Sequence, residues 1–199
     1  MNPLEERVRQ LFGSGIEAQI AAADALSEAI AKAAERMAEC LLNDKKILVC
    51  GAGVSAANAQ HFSCALINHF GVERPSLPVI NLSADNVSLS ALADENHYDQ
   101  LFSRQILALG QPGDLLLNIT TSGQDNGALQ AVQAANERGL DTIALCGREG
   151  GVLSTHLGPS DLPLYVNADS TPRVREIHLF ILHCFCDLID QIIFRHTME

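Results

Sequence analysis

Two short stretches of the chain carry residue types suited to holding an anion. Gly51-Ala52-Gly53-Val54-Ser55-Ala56-Ala57-Asn58 follows the apolar run 45–51, and Thr120-Thr121-Ser122-Gly123-Gln124-Asp125-Asn126-Gly127 follows the apolar run 114–119. Glycine lets backbone N–H groups approach an anion closely, hydroxyl side chains add donors, and a helix that follows offers its positive end. The pattern fits a phosphate cradle with Ser55, Thr120, Thr121 and Ser122 as ligand-binding residues, and it fits a plain strand-to-helix turn as well. Neither stretch is a Walker loop, because no Gly-Lys-Ser/Thr follows. The first is not G-x-G-x-x-G, because Ala56 stands at the third glycine position.

The elements that must position these loops are legible from periodicity. Five short apolar runs, at 45–51, 77–82, 114–119, 141–146 and 161–166, alternate with helix-period stretches at 55–70, 86–109 and 124–138. Continuous apolar strands between helices predict a parallel sheet covered on both faces. In such a sheet ligands bind beyond the carboxyl ends of the strands, where both glycine-rich loops fall. Residues 4–42 read as two helices, with Ser27 as the cap of the second. The last helix, 172–194, is apolar over so wide an arc that burial between subunits is expected.

The 199 residues suit one domain with a core of its own, and 47% hydrophobic against 19% charged residues excludes a disordered chain. A net charge of −11 argues against a direct grip on nucleic-acid phosphates and leaves a protein partner open. No uninterrupted apolar run is long enough for a transmembrane helix, and the acidic N-terminal stretch lacks the apolar core of a signal peptide, so a cytoplasmic protein is expected. Cys40, Cys50, Cys64, Cys146, Cys184 and Cys186 form no C-x-x-C pair and are expected to be reduced and buried.

The two loops, together with Asn58-Ala59-Gln60-His61-Phe62-Ser63, Glu73-Arg74-Pro75-Ser76-Leu77-Pro78, Ala108-Leu109-Gly110-Gln111-Pro112-Gly113-Asp114 and Cys184-Phe185-Cys186-Asp187-Leu188-Ile189-Asp190, resemble the sugar isomerase (SIS) domain family. Within it the sequence is similar to the branch of bacterial phosphoheptose isomerases and DnaA initiator-associating (DiaA) proteins, and most similar to the latter. The resemblance covers essentially the whole chain. It implies an α/β fold with a five-stranded parallel sheet of flavodoxin-like order. An N-terminal helical pair over 1–42 would belong to the same domain as the α/β unit over 43–199. A homotetramer built through the N-terminal and C-terminal helices is implied as well.

The same resemblance implies where an isomerase site would lie. The helix after the first strand in the isomerases reads A-Q-H-F-x-x-E, and the last helix supplies Gln and then His, groups that serve as acid and base and can hold zinc. The matching residues here are His61, Ala65, Arg175 and His183. Two imidazoles remain, the carboxylate is gone, and a permanent cation replaces the amide. Asp125 stands where the isomerases carry a serine. A carboxylate ~4 Å from a phosphate charge is repelled by roughly 4 kcal/mol at an effective dielectric of 20. The expectation is therefore a vestigial pocket with no catalytic residue and no cofactor, zinc at His61 and His183 being disfavoured even with Cys64 nearby.

On this reading the protein is a non-catalytic adaptor. It would bind the replication initiator DnaA and promote its assembly at the chromosomal origin, with Ile193 and Phe194 as an apolar partner-binding tip. The alternatives are a phosphoheptose isomerase acting on sedoheptulose 7-phosphate and a degenerate sugar-phosphate-binding sensor.

Overall fold

The computed structural model describes residues 2–194. Five strands, β1 (Ile47–Gly51), β2 (Val79–Asn81), β3 (Leu115–Thr120), β4 (Asp141–Gly147) and β5 (Leu162–Val166), form one sheet of order β2-β1-β3-β4-β5. Every adjacent pair is parallel. Alternate side chains feed opposite faces. Ile47 and Val49 join the core under α1 (Pro3–Leu42), α2 (Val54–Ile67) and α6 (Thr171–Phe194). Leu48 and Cys50 join the core under α3 (Asn86–Asp94), α4 (Leu101–Leu109) and α5 (Asn126–Arg138). With both faces covered, the central strands are apolar throughout, as the sequence pattern requires.

The expected N-terminal pair is one continuous 40-residue helix. Asn2 caps it, its Oδ1 accepting from Leu4 N at 3.0 Å, and Pro3 occupies the first turn. Ser27 starts nothing: its hydroxyl donates to the Ala23 carbonyl one turn back, which keeps a serine inside a helix. The second half of α1 buries Ile30, Ala33, Ala34, Met37 and Leu41 on the sheet, while most of the first half stands clear of the core. The stretch 86–109, expected as helical throughout, breaks after Asp94. Asn96 adopts φ +58°, in the left-handed region that asparagine tolerates, and a short 3-10 turn at Tyr98–Gln100 leads into α4.

By length and composition α6 would pass for a membrane span. Its packing on α1 and α2 makes it a core helix, with Val174, Ile177, Ile181, Leu182, Phe185 and Ile189 buried. Phe180 and Ile192 remain exposed, so it is not buried all round. All six cysteines are free. Burial pushes the Cys146 thiol up to about 12, whereas Cys64 is exposed and Cys184 half-buried, contrary to the expectation that all are interior.

His178, on the inner face of α6, is fully buried against the backbone of Cys146. Burial lowers its pKa from 6.5 to about 4. The unfolded chain therefore binds a proton between those pH values that the folded chain refuses. The stability involved is intact above pH 6.5 and is lost as pH falls toward 4, amounting to about 3 kcal/mol. Urea titrations between pH 7 and 5 should show His178→Phe losing less stability with acid than the wild type. Parallel pH dependences would contradict this account of His178.

Candidate functional site

The glycine at the end of β1 has a steric cause. A Cβ on Gly51 would lie 2.7 Å from the Ser55 carbonyl oxygen, because the chain folds straight back into α2. Ser83, just after β2, pins this turn: its hydroxyl accepts from Gly51 N at 3.2 Å and donates to Gly51 O at 2.9 Å. Nothing in the sequence pattern pointed to Ser83. Ser55 lies buried in the first turn of α2.

The loop after β3 is closed on itself. Thr120 Oγ1 accepts from Gly123 N at 3.2 Å, and Ser122 Oγ accepts from Gln124 N at 3.3 Å. Gly123, at φ +63°, could carry no side chain, since a Cβ would sit 1.8 Å from the Gly150 carbonyl oxygen. Asp125 is the N-cap of α5, its Oδ1 accepting from Gly127 N at 2.8 Å and Ala128 N at 3.4 Å. The residue expected to repel a phosphate thus also fills the helix terminus that would attract one. Thr121 and Ser122 line a cavity of about 820 Å³ with Arg148, Tyr165 and Thr171.

The two histidines meet. His61 on α2 and His183 on α6 lie Nε2 to Nε2 at 2.9 Å, and Phe70 stacks obliquely on His183 with ring centroids 5.3 Å apart. One ring must donate and the other accept, so the accepting ring carries its own proton on Nδ1. Burial, and then the neighbouring His61, lower the pKa of His183. The pair thus presents one donor and one acceptor in contact, the minimum for shuttling a proton. His183 also lines an apolar groove of about 550 Å³ between α1 and α6, separate from the cavity at Thr121.

Ala65 sits on the same helix, buried, and offers no donor atom. Arg175 sits in the second turn of α6, its carbonyl oxygen 3.5 Å from the Asn58 side-chain amide. Among the described residues no three His, Cys, Asp or Glu side chains gather closely enough to hold a metal ion. The donor set that zinc would need does not fit: Ala65 is inert, Arg175 is a cation, and the two imidazoles bond each other.

A buried ion pair holds α2 against α6. Arg74 Nε donates to Asp190 Oδ1 at 2.8 Å, with both side chains almost fully buried. The rest of the guanidinium donates to the carbonyls of Ala65 (3.0 Å), Leu66 (2.7 Å) and Pro75 (3.0 Å). It thereby caps the last turn of α2 while fastening it to α6. The same guanidinium lies 5.8 Å from the centre of the Phe194 ring. Ile193 and Phe194, expected as a partner-binding tip, are half-buried and packed on their own core.

Many families share this sheet order, and it is the sequence that decides among them: residues 12–147 match the SIS domain model. The chain belongs to the SIS domain family. A phosphoheptose isomerase of Shewanella oneidensis is 48% identical over 189 residues, covering 95% of this chain and 96% of that protein. The solved phosphoheptose isomerase from Francisella tularensis superposes with a TM-score of 0.90 at 43% identity, covering 96% of this chain and all of that one. The phosphoheptose isomerase GmhA from Neisseria gonorrhoeae gives 0.88 at 40%, covering 94% of this chain and 99% of that one.

These relatives overturn two expectations. The chain is not set apart from the isomerases as a non-catalytic adaptor for DnaA, because proteins 40–48% identical over nearly its whole length carry the isomerase name. The reading as a non-enzyme, built on Ala65 and Arg175, falls with it. Its physical weakness is that it counted the groups replaced and gave no weight to the imidazole pair that stays in hydrogen-bond contact.

Arg74 and Asp190 add a buried polar tie to the apolar packing that brings α2 and α6, and with them His61 and His183, together. Removing one partner of a buried ion pair typically costs about 3–5 kcal/mol. Arg74→Ala should lose that order of stability in urea denaturation, and Arg74→Met with Asp190→Leu should regain most of it. A loss below about 1 kcal/mol for Arg74→Ala would show the pair to be dispensable.

Proposed function

We propose that the protein is a phosphoheptose isomerase, interconverting sedoheptulose 7-phosphate and a heptose 7-phosphate. The observation that carries this is the His61–His183 contact in a chain 48% identical to a phosphoheptose isomerase. Ketose–aldose isomerisation moves a proton between adjacent carbons, so it needs a group to take that proton and a group to give one. His183, whose pKa burial and the neighbouring His61 lower, is suited to accept, and His61 is placed to exchange the proton with it. With alanine at 65 no carboxylate from that position shares the work, so both transfers rest on the imidazoles. No step in this scheme uses a metal.

A coupled assay on sedoheptulose 7-phosphate should find turnover by the wild type. His61→Ala and His183→Ala should each lower kcat by about 10²–10⁴-fold. Absence of turnover together with retained, saturable binding would instead favour a sugar-phosphate sensor, the reading that Ala65 supports.

We also propose a cytoplasmic homotetramer. Leu4, Val8, Phe12, Ile16 and Ile20 form an exposed apolar stripe at four-residue spacing on the first half of α1, and Phe180 stands exposed on α6. Such a stripe on an isolated helix arm suits helix-to-helix pairing between copies. Light scattering should give four times the 21.4 kDa chain mass, and Phe12→Asp with Ile16→Asp should give a smaller species. A wild-type monomer would contradict the assembly.

A further inference from the structure

We propose that Arg148 supplies the fixed positive charge that holds the substrate phosphate against the loop between β3 and α5. The inference rests on the sugar-phosphate reading above and names a specificity-determining residue for it.

The β3–α5 loop and the turn after β4 are built as one unit. A Cβ on Gly147 would lie 2.2 Å from the Thr121 carbonyl oxygen, and one on Gly151 would lie 2.4 Å from that of Ser122. Gly123 meets the Gly150 carbonyl in the same way, and Leu153 N donates to Gly123 O at 3.0 Å. Backbone against backbone at these points fixes the turn 147–151 relative to the hydroxyls of Thr121 and Ser122. The cavity of about 820 Å³ opens between them, with Arg148 on its lining and Asp125 outside it.

Arg148 is the anomaly of this turn. Its φ is +52°, in the left-handed region, and its N–H is held there by the Val166 carbonyl at 2.7 Å. Among the described residues the other non-glycines with positive φ are Asp44 and Asn96, types whose short polar side chains tolerate it. Glycine stands at 147, 150 and 151, so the arginine at 148 keeps a strained backbone where one more glycine would relax it. Strained residues of this kind cluster at ligand sites. The side chain is exposed and, among the described residues, donates to no acceptor of the protein. Arg36, Arg74, Arg104, Arg138 and Arg173, in contrast, are engaged by acceptors of the fold.

The lining suits a sugar phosphate. Thr121 Oγ1 has no partner among the described residues, and Ser122 Oγ accepts from Gln124 N, which leaves its proton to donate. Two hydroxyls and a planar guanidinium fork match the oxygens of a phosphate monoester. Hydroxyls alone bind a phosphate and a sugar hydroxyl by the same bonds, so the cation is what singles out the phosphorylated ligand. Glu149 is the one carboxylate on the lining, and among the described residues it forms no ion pair with Arg148, which leaves the cation free for an incoming anion.

Calorimetric titration of the full-length protein with sedoheptulose 7-phosphate, and with unphosphorylated sedoheptulose, tests this. Arg148→Gln should weaken the phosphorylated ligand by about tenfold or more, the effect of losing a charge-assisted bond, and should leave the unphosphorylated sugar unchanged. Arg148→Lys, which keeps the charge and loses the fork, should fall between. Lys45→Gln, the same change of charge just before β1 at the opposite edge of the sheet, should bind as wild type. Without ligand, Arg148→Gly should melt no lower than wild type, because glycine relaxes the left-handed backbone, while losing affinity as Arg148→Gln does. Unchanged affinity in Arg148→Gln and Arg148→Gly, an equal loss for both sugars, or no binding by the wild type overturns the inference. A lowered melting point with unchanged affinity overturns it too, and makes Arg148 structural. Arg148-dependent binding without turnover leaves the inference standing and removes the isomerase reading. Turnover with Arg148-independent affinity does the reverse.

Discussion

The buried pairing of Arg74 with Asp190 is the constraint on which the site depends. Isolated charges are expensive away from water, and this guanidinium is tolerated because a carboxylate and three carbonyls receive its donors. Two of those carbonyls belong to the last turn of α2, where unpaired acceptors collect at a helix end. One side chain thus ends α2, anchors it to α6 and fixes the separation at which His61 and His183 touch. The ion pair adds little net stability relative to an apolar substitute. What it supplies is position.

The same economy runs through the loops at the carboxyl edge of the sheet. Gly51 and Gly123 allow backbone to pass within contact distance of backbone, and Ser83, Thr120, Ser122 and Asp125 then satisfy the amides that these turns expose. The result is a rigid rim whose donors are largely committed. Against that background the mutually bonded imidazoles of His61 and His183 stand out as the groups with chemistry left over.

Much of this architecture was legible in the sequence, and the failures have physical causes. Strands buried on both faces announce themselves as apolar runs, so the sheet and its ligand-binding edge could be located from Ile47, Leu115 and their neighbours. Ser27 read as a cap because a serine hydroxyl can satisfy either an open helix end or the carbonyl four residues back, and only the fold decides between them. Asn96 is the residue inside the helical stretch 86–109 that tolerates a left-handed backbone, and the apolar period around it gives no sign that the helix breaks there. Asp125 was weighed as a charge opposite a ligand, although an acidic residue just before a helical period is also an N-cap. The Arg74–Asp190 pair joins residues 116 positions apart, and no local pattern encodes such a partner. The adaptor reading failed for a related reason: single substitutions in a site are visible in sequence, whereas the contact between the two surviving histidines is visible only in three dimensions.

The central claim is that this histidine pair moves a carbon-bound proton of a sugar phosphate. Proton NMR of sedoheptulose 7-phosphate incubated with the protein in deuterium oxide tests it without reliance on a coupling enzyme. Isomerisation through a solvent-exchanging imidazole predicts deuterium at the two carbons between which the proton moves, growing with time and absent when both His61 and His183 are replaced by alanine. A substrate that stays fully protonated at stoichiometric protein, or one that exchanges equally fast with the doubly substituted variant, would contradict the account.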